Sequence, residues 1–360
     1  MPEPTPLDPA RFRATVGGQT VALYTLRNRH GMAAAITNHG ARIEQLLAPD
    51  RDGRLGDVVL GHDSIEQVLA GQASMGAFIA RFAGRIAQGR FALDGQAHQL
   101  SRNDGPHHLH GGTNGSRFRV FEARQTCASS VEMALVFADG EDGYPGTLSL
   151  RVRYCVTDDN ALVIDYAGLA ADRPTIANFT SHAFFNLSGE GGSSILDHVL
   201  TVHADRFLEV DAAAIPTGRI DRVVGTPLDF RRPTPIGARI DHAHEQLMKV
   251  GGYDHTLVLR AGEPGEPGAP RHAATLHHPG SGRVMAVWST EPALQLYSGN
   301  HLQGIGKGGA VYRPRTGVCL EPQGYPDAPN HPHFPSAVLR PGQWRRGRTV
   351  YRFSSLPVRL

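Results

Sequence analysis

The sequence predicts an all-β protein, one large antiparallel β-sandwich. Segments with alternating apolar residues recur along the chain, turn residues separate them, and few helical repeats intervene. Ser130–Phe137 sets Val131, Met133, Leu135 and Phe137 on one face, and Leu148–Val156 does the same with Leu148, Leu150, Val152, Tyr154 and Val156. The 42 glycines and 25 prolines among 360 residues suit many turns between short strands.

Taken in order, Val21–Leu26 and Met32–Leu47 read as an opening hairpin around His30-Gly31, and Ile65–Gly71 as a short helix. Phe91–Leu93 and His98–Leu100 flank Asp94-Gly95, a strong two-residue hairpin signal. Ala161–Ala167 follows the turn Asp158-Asp159-Asn160. Further strands are expected at Thr175–Asn186, His198–His203, His255–Leu259, Ala273–His277, Arg283–Ser289, Leu294–Ser298 and Val350–Phe353, with a second short helix at Asp241–Lys249. Ala261–Pro270 reads as a flexible loop tip, because strand-like sequence of the same style continues on both sides. Residues 1–10 are expected to form a disordered lead and 11–360 a single domain.

The stretch Gly317–Pro335 organises the rest. Val318-Cys319-Leu320 is a strand-like apolar run, and Glu321 stands where another core residue is expected. Five prolines follow. Proline cannot donate a ladder hydrogen bond, so this part is expected to be a stiff, extended loop. An acid delivered from the end of a rigid strand keeps its geometry, as a catalytic carboxylate must. The plainer reading is a glutamate facing water.

Net charge is +2, and no basic stripe with interleaved aromatics or polybasic block points to nucleic acid or a membrane surface. Cys127, Cys155 and Cys319 are odd in number and far apart, which fits a reducing compartment rather than a disulfide framework. The opening MPEPTPLDPA lacks the features of a signal peptide, and no apolar run reaches membrane-spanning length. A soluble, cytoplasmic protein is expected.

Four constellations hold candidate chemistry. Arg85 in Phe82-Ala-Gly-Arg-Ile86 precedes His107-His-Leu-His110-Gly-Gly. Three histidines raise the question of a metal, but no HExxH or CxxC accompanies them, and a hydrogen-bonding His110 on a glycine-rich loop is the favoured reading. His182 sits in an apolar, aromatic strand; it is either a satisfied core residue or, if it lines a pocket, a natural acid or base. Asp254 precedes an apolar strand and is either a turn residue or a ligand contact. Gln295 places an amide in a strand. Gly304-Ile-Gly306-Lys-Gly-Gly309 matches GxGxxG, but no helix follows it, so it is not a dinucleotide fingerprint.

Together these pieces resemble the aldose 1-epimerase (galactose mutarotase) family. Gly84-Arg85-Ile86, Leu109-His110-Gly111-Gly112, His182 through Leu187, Gly252-Tyr253-Asp254-His255, Gln295 through Asn300 and Gly317 through Pro335 occur in the family's order. The LEPQGYPDAPN run is the specific one. The resemblance implies a sandwich with an open sugar groove, Glu321 as catalytic base, His182 as catalytic acid, and Arg85, His110, Asp254 and Gln295 as sugar-binding residues. Two positions depart from it. Gly84 stands where the family often has Asn, and Phe184 lacks a phenol hydroxyl.

The implied chemistry opens a cyclic hemiacetal. A base removes the C1 hydroxyl proton, an acid protonates O5, C1–O5 breaks, and the ring closes on the other face. Glu321 ionised and His182 charged are expected to assist each other, and Trp288 or a phenylalanine is expected to cover the sugar's apolar face. No metal, nucleotide or other cofactor is required. The partner expected is a monosaccharide, and the chain is expected to be a monomer or weak homodimer. The alternatives are a non-catalytic carbohydrate-binding sandwich, a glycosidase using Asp254 and Glu321 as its carboxylate pair, a metal-dependent isomerase built on His107, His108 and His110, and a hexose 6-phosphate mutarotase drawing on Arg231-Arg232.

Overall fold

The computed structural model describes residues 4–71, 74–191, 194–261 and 268–356. Antiparallel sheets pack face to face over a shared core. The largest has nine strands. Four form a meander, Glu122–Cys127, Ser130–Phe137, Leu148–Val156 and Ala161–Ala170, and the long Trp344–Ser355 strand joins it to Arg283–Ser289 and Arg271–His277. The alternation in the sequence sets the faces: Val131, Met133, Leu135 and Phe137 are buried, and the residues between them are mostly exposed.

A six-stranded sheet carries three of the expected site residues, Asp254, Gln295 and Glu321. Its order is Phe184–Phe185, Val318–Gln323, Ala293–Tyr297, Asp254–Leu259, Ala204–Val210 and Pro216–Arg222. Its inner face supplies Leu257, Leu294, Leu296, Val318 and Leu320, each at most 1% exposed, to the same cluster as the meander residues. Burying a side chain of this size stabilises by about 1.5–3 kcal/mol. These strands therefore form a stiff floor for whatever their outer faces carry. A four-stranded sheet, Leu23–Arg27, Ala33–Thr37, Arg42–Pro49 and Leu55–Asp57, completes the core with Leu26, Ile36, Ile43 and Leu46.

The Asp94-Gly95 hairpin forms as expected. Arg90–Leu93 pairs with Gln96–Gln99, and both turn residues have positive φ (51° and 79°), as a type I′ turn requires. The helix at Ile65–Ala70 is capped by the Ser64 side chain, which accepts from Gln67 N. The other expected helix is shorter than Asp241–Lys249: it spans Glu245–Val250, with His244 at its N-cap.

Two expected strands break. Met32–Leu47 divides into Ala33–Thr37 and Arg42–Pro49, because Gly40 and Ala41 take positive φ. Thr175–Asn186 divides into Thr175–Ile176, Thr180–Ser181 and Phe184–Phe185, and each piece pairs with a different neighbour.

The extended loop expected after Leu320 also differs. Strand Val318–Gln323 continues through Pro322, and Glu321 lies within it, opposite Gln295. Pro322 is tolerated because its missing donor faces away from the Ala293–Tyr297 strand. The Pro322 carbonyl points the same way and accepts from Thr180 Oγ1 at 3.0 Å.

Residues 262–267 of the expected loop tip lie outside the described residues. In the expected lead, Gln45 Nε2 donates to Thr5 O and Leu7 N donates to Gln45 Oε1. A short 3₁₀ turn follows at Pro9–Phe12. Among the described residues no helix is long and apolar enough to cross a membrane.

Candidate active site

On three adjacent strands of the six-stranded sheet, the period of two turns alternate side chains away from the core. Asp254 and Thr256 come from the first, Gln295 and Tyr297 from the second, and Glu321 and Gln323 from the third. Thr256, Gln295 and Glu321 stand in register across the strands. These six side chains line one cavity of about 370 Å³, which Gly84, Arg85, His110, Arg117, His182 and Phe184 also border. All six expected site residues (Arg85, His110, His182, Asp254, Gln295 and Glu321) therefore face a single space.

His182 occupies the break between Thr180–Ser181 and Phe184–Phe185. Its own backbone is pinned on both sides: its N donates to Ala77 O (2.8 Å) and its O accepts from Gly76 N (3.0 Å). Its Nε2 is 3.8 Å from Glu321 Oε1. The ring lies among Phe184 (5.1 Å), His110 (5.3 Å) and Tyr297 (6.3 Å). Burial, with the Arg117 and Arg42 charges, lowers His182 to about 4. Glu321 is 2% exposed. Its Oε2 is buried and makes no hydrogen bond among the described residues. Burial, with the Asp254 charge, holds Glu321 well above the ordinary carboxylate range. Burial thus works against the expected charged pair. Desolvation penalises the Glu321 carboxylate and the His182 imidazolium alike.

His110 is held by backbone. Gly84 N donates to its Nδ1 (3.2 Å), and its own N donates to Gly84 O (3.2 Å). In the neutral ring the proton is then on Nε2, the nitrogen left to donate. Burial first, then His182 and Arg117, holds His110 well below its usual value, so the ring is neutral.

The three histidines do not meet. His108 bonds Ser101 O and Tyr144 OH in the core, and His107 accepts from Gln88 N. The strand His108–Leu109 ends where His110 takes φ +53°, which breaks the alternation expected to align them.

Arg85 donates through Nε to Asp104 Oδ2 at 2.7 Å, a half-buried ion pair that aims the guanidinium. Asp104→Asn is expected to raise KM about fivefold, equivalent to about 1 kcal/mol, with kcat nearly unchanged. Steady-state kinetics on an aldose, the substrate class the resemblance implies, check this. Asp254 Oδ1 accepts from Gln295 Nε2 (2.6 Å), and Gln295 Oε1 accepts from Thr256 Oγ1 (2.5 Å). This chain fixes the amide orientation of Gln295 and leaves Asp254 Oδ2 for a ligand. Burial raises the Asp254 carboxyl despite the Arg85 charge.

At Gly84, φ is +81°, and a Cβ would sit 2.8 Å from Pro326 Cβ and Cγ. Pro326 thus stands against the space that a side chain at position 84 would need. Gly84→Asn is expected to destabilise by about 1–3 kcal/mol and to disturb His110 through the shared backbone bonds. Urea unfolding measures the first effect.

Trp288, offered as a sugar platform, does not line the cavity. It stacks on His272 (4.8 Å) on the nine-stranded sheet, and Phe184 and Tyr297 supply the aromatic wall instead. Tyr297 returns a phenol beside Phe184. Arg231 and Arg232 border a different cavity, where Arg231 pairs with Asp229. Sequence reasoning missed Thr256, Tyr297 and Arg117. The first two were within reach, since each lies two residues from a chosen position on the same strand face.

Fold and cavity together define a class: an antiparallel sandwich with a cavity over one sheet, where a buried carboxyl and imidazole meet among neutral and charged hydrogen-bonding groups. The comparisons with known proteins agree. Residues 22–352 match the family described as aldose 1-epimerase. Galactose mutarotase from Bos taurus is 41% identical over 341 residues, covering 94% of this chain and 96% of that protein. Aldose 1-epimerase from Escherichia coli (strain K12) is 37% identical over 339 residues, 93% and 96% of the two chains. The solved structure of an aldose epimerase homologue from C. elegans superposes with a TM-score of 0.86 at 32% identity, covering 94% of this chain and all of that one. The chain belongs to the aldose 1-epimerase family.

Proposed function

We propose that the protein is an isomerase that interconverts the α and β anomers of a free aldose by general acid–base ring opening. The observation that carries this reading is the pairing of Glu321 and His182, 3.8 Å apart on one cavity wall. Glu321 is the base for the C1 hydroxyl and His182 the acid for O5. Arg85, His110, Asp254 and Gln295 bind the ring hydroxyls, His110 donating from Nε2 and Asp254 accepting at Oδ2.

Ligand binding prepares the pair. A sugar hydroxyl donating to the unpartnered Glu321 Oε2 favours the carboxylate. With Glu321 ionised, a protonated His182 serves as the acid that O5 needs. In the open-chain form the aldehyde rotates about C1–C2. His182 then recovers the O5 proton and Glu321 returns one to O1, so the catalyst is unchanged after either direction. Positioned acid–base catalysis contributes about 10²–10⁴-fold per group.

The family relationship supports sugar as the substrate class, and the names of the relatives favour galactose. We further propose a cytoplasmic location and a single domain, active as a monomer or weak dimer.

Polarimetry of freshly dissolved α-D-galactose and α-D-glucose tests the function, alongside a reducing-end assay on an oligosaccharide. Faster equilibration with no new reducing ends is expected. Release of reducing ends would replace this reading with the glycosidase one, and sugar binding without either activity would leave a binding module.

A further inference from the structure

Cys319 lies behind His182. It shares a strand face with Glu321, two residues along, yet it is fully buried and does not border the cavity. Its Sγ is 3.5 Å from His182 Nδ1, while Glu321 Oε1 is 3.8 Å from the other ring nitrogen. One ligand atom from each of Cys319, His182 and Glu321 lies within 4.8 Å of the other two.

Thiolate, imidazole and carboxylate form a donor set suited to Zn²⁺ and similar divalent ions. With bonds of about 2.0–2.3 Å, neighbouring ligand atoms in a tetrahedral zinc site are roughly 3.3–3.8 Å apart. The thiol and imidazole already have that spacing, and a shift of about an ångström brings in the carboxylate. Glu321 Oε2, buried and without a hydrogen bond among the described residues, is uncommitted. A bound dication would also neutralise a thiolate and a carboxylate that are costly to bury as bare anions.

A second cluster, Asp197, His198 and His278, shows what a closed set looks like. There His198 Nε2 accepts from Leu187 N (2.9 Å), its Nδ1 bonds Asp197 Oδ1 (2.9 Å), and His278 Nδ1 accepts from Ser281 N (3.0 Å). No nitrogen of His198 is left for an ion.

We propose that Cys319, His182 and Glu321 form an inhibitory zinc site in the wall of the catalytic cavity. Bound zinc takes a Glu321 oxygen and one His182 nitrogen, which keeps the imidazole from carrying a second proton, so an occupied site cannot open the sugar ring. Cys319 makes the site selective for zinc over magnesium or calcium, which prefer oxygen ligands.

The test compares wild type with Cys319→Ser, and with Cys319→Ala in case the serine variant folds poorly. Cobalt(II), used as the spectroscopic probe, is expected to give a thiolate charge-transfer band in wild type that is lost in both variants. Cys127 and Cys155 remain in each protein as internal controls. In chelator-treated buffer, zinc is expected to slow anomer equilibration by wild type reversibly, with EDTA restoring the rate. The variants keep their basal rate and lose at least about tenfold in zinc sensitivity. Identical cobalt spectra, or equal zinc sensitivity in wild type and variants, would overturn the proposal. The cobalt band needs no turnover, so it tests the site even if the anomerase reading fails.

Discussion

Glu321→Gln is expected to lower kcat for anomer interconversion by about 10²–10⁴-fold while leaving sugar affinity within a fewfold of wild type. Glutamine keeps the shape and the hydrogen-bonding reach of the side chain but cannot accept the C1 proton. The fold is expected to survive intact. Glu321 is 2% exposed and its Oε2 has no partner among the described residues. A neutral amide there is no costlier than a buried carboxyl whose ionisation burial already resists. Thermal unfolding should therefore show a Tm equal to or above that of wild type, so that activity and stability part company. A loss of activity matched by a loss of Tm would instead make Glu321 a structural residue.

His182→Asn is expected to cost a similar factor of about 10²–10⁴ in kcat. The asparagine retains a polar atom near Cys319, and the backbone bonds to Ala77 and Gly76 do not depend on the side chain. What disappears is the proton donor for O5. Because Glu321 and His182 are proposed to act together in one ring-opening step, their losses are not independent. The double variant is expected to be only slightly slower than either single one, rather than slower by the product of the two factors. Steady-state kinetics on all four proteins supply that cycle. Fully multiplicative losses would mean that the two groups act in separate steps.

Much of this site was legible because strand geometry is simple. Once Asp254, Gln295 and Glu321 are placed on strands, the period of two sends them outward and Leu257, Leu296 and Leu320 inward, as found. The pattern also reaches Thr256 and Tyr297, which the sequence reading passed over because neither residue type announces chemistry.

Other features depended on tertiary partners. Thr175–Asn186 reads as one apolar strand, yet its three pieces pair with three neighbours, and His182 owes its position to one of the breaks. Pro322 argued for a strand end, but the donor it lacks falls on the side where no ladder bond is needed. Charge state was the least accessible. A nearby carboxylate favours an imidazolium, whereas burial of both groups works against both charges.

The central claim is that the ring opens at C1–O5 while O1 stays with the sugar. Galactose labelled with ¹⁸O at C1 tests it in unlabelled water, with anomers followed by NMR and label by mass spectrometry over times short against spontaneous hydration exchange. Ring opening predicts many enzyme-catalysed α–β interconversions with the ¹⁸O retained. Loss of label in step with anomer conversion would contradict the account, because it would mean displacement at C1 by an enzyme carboxylate or by water.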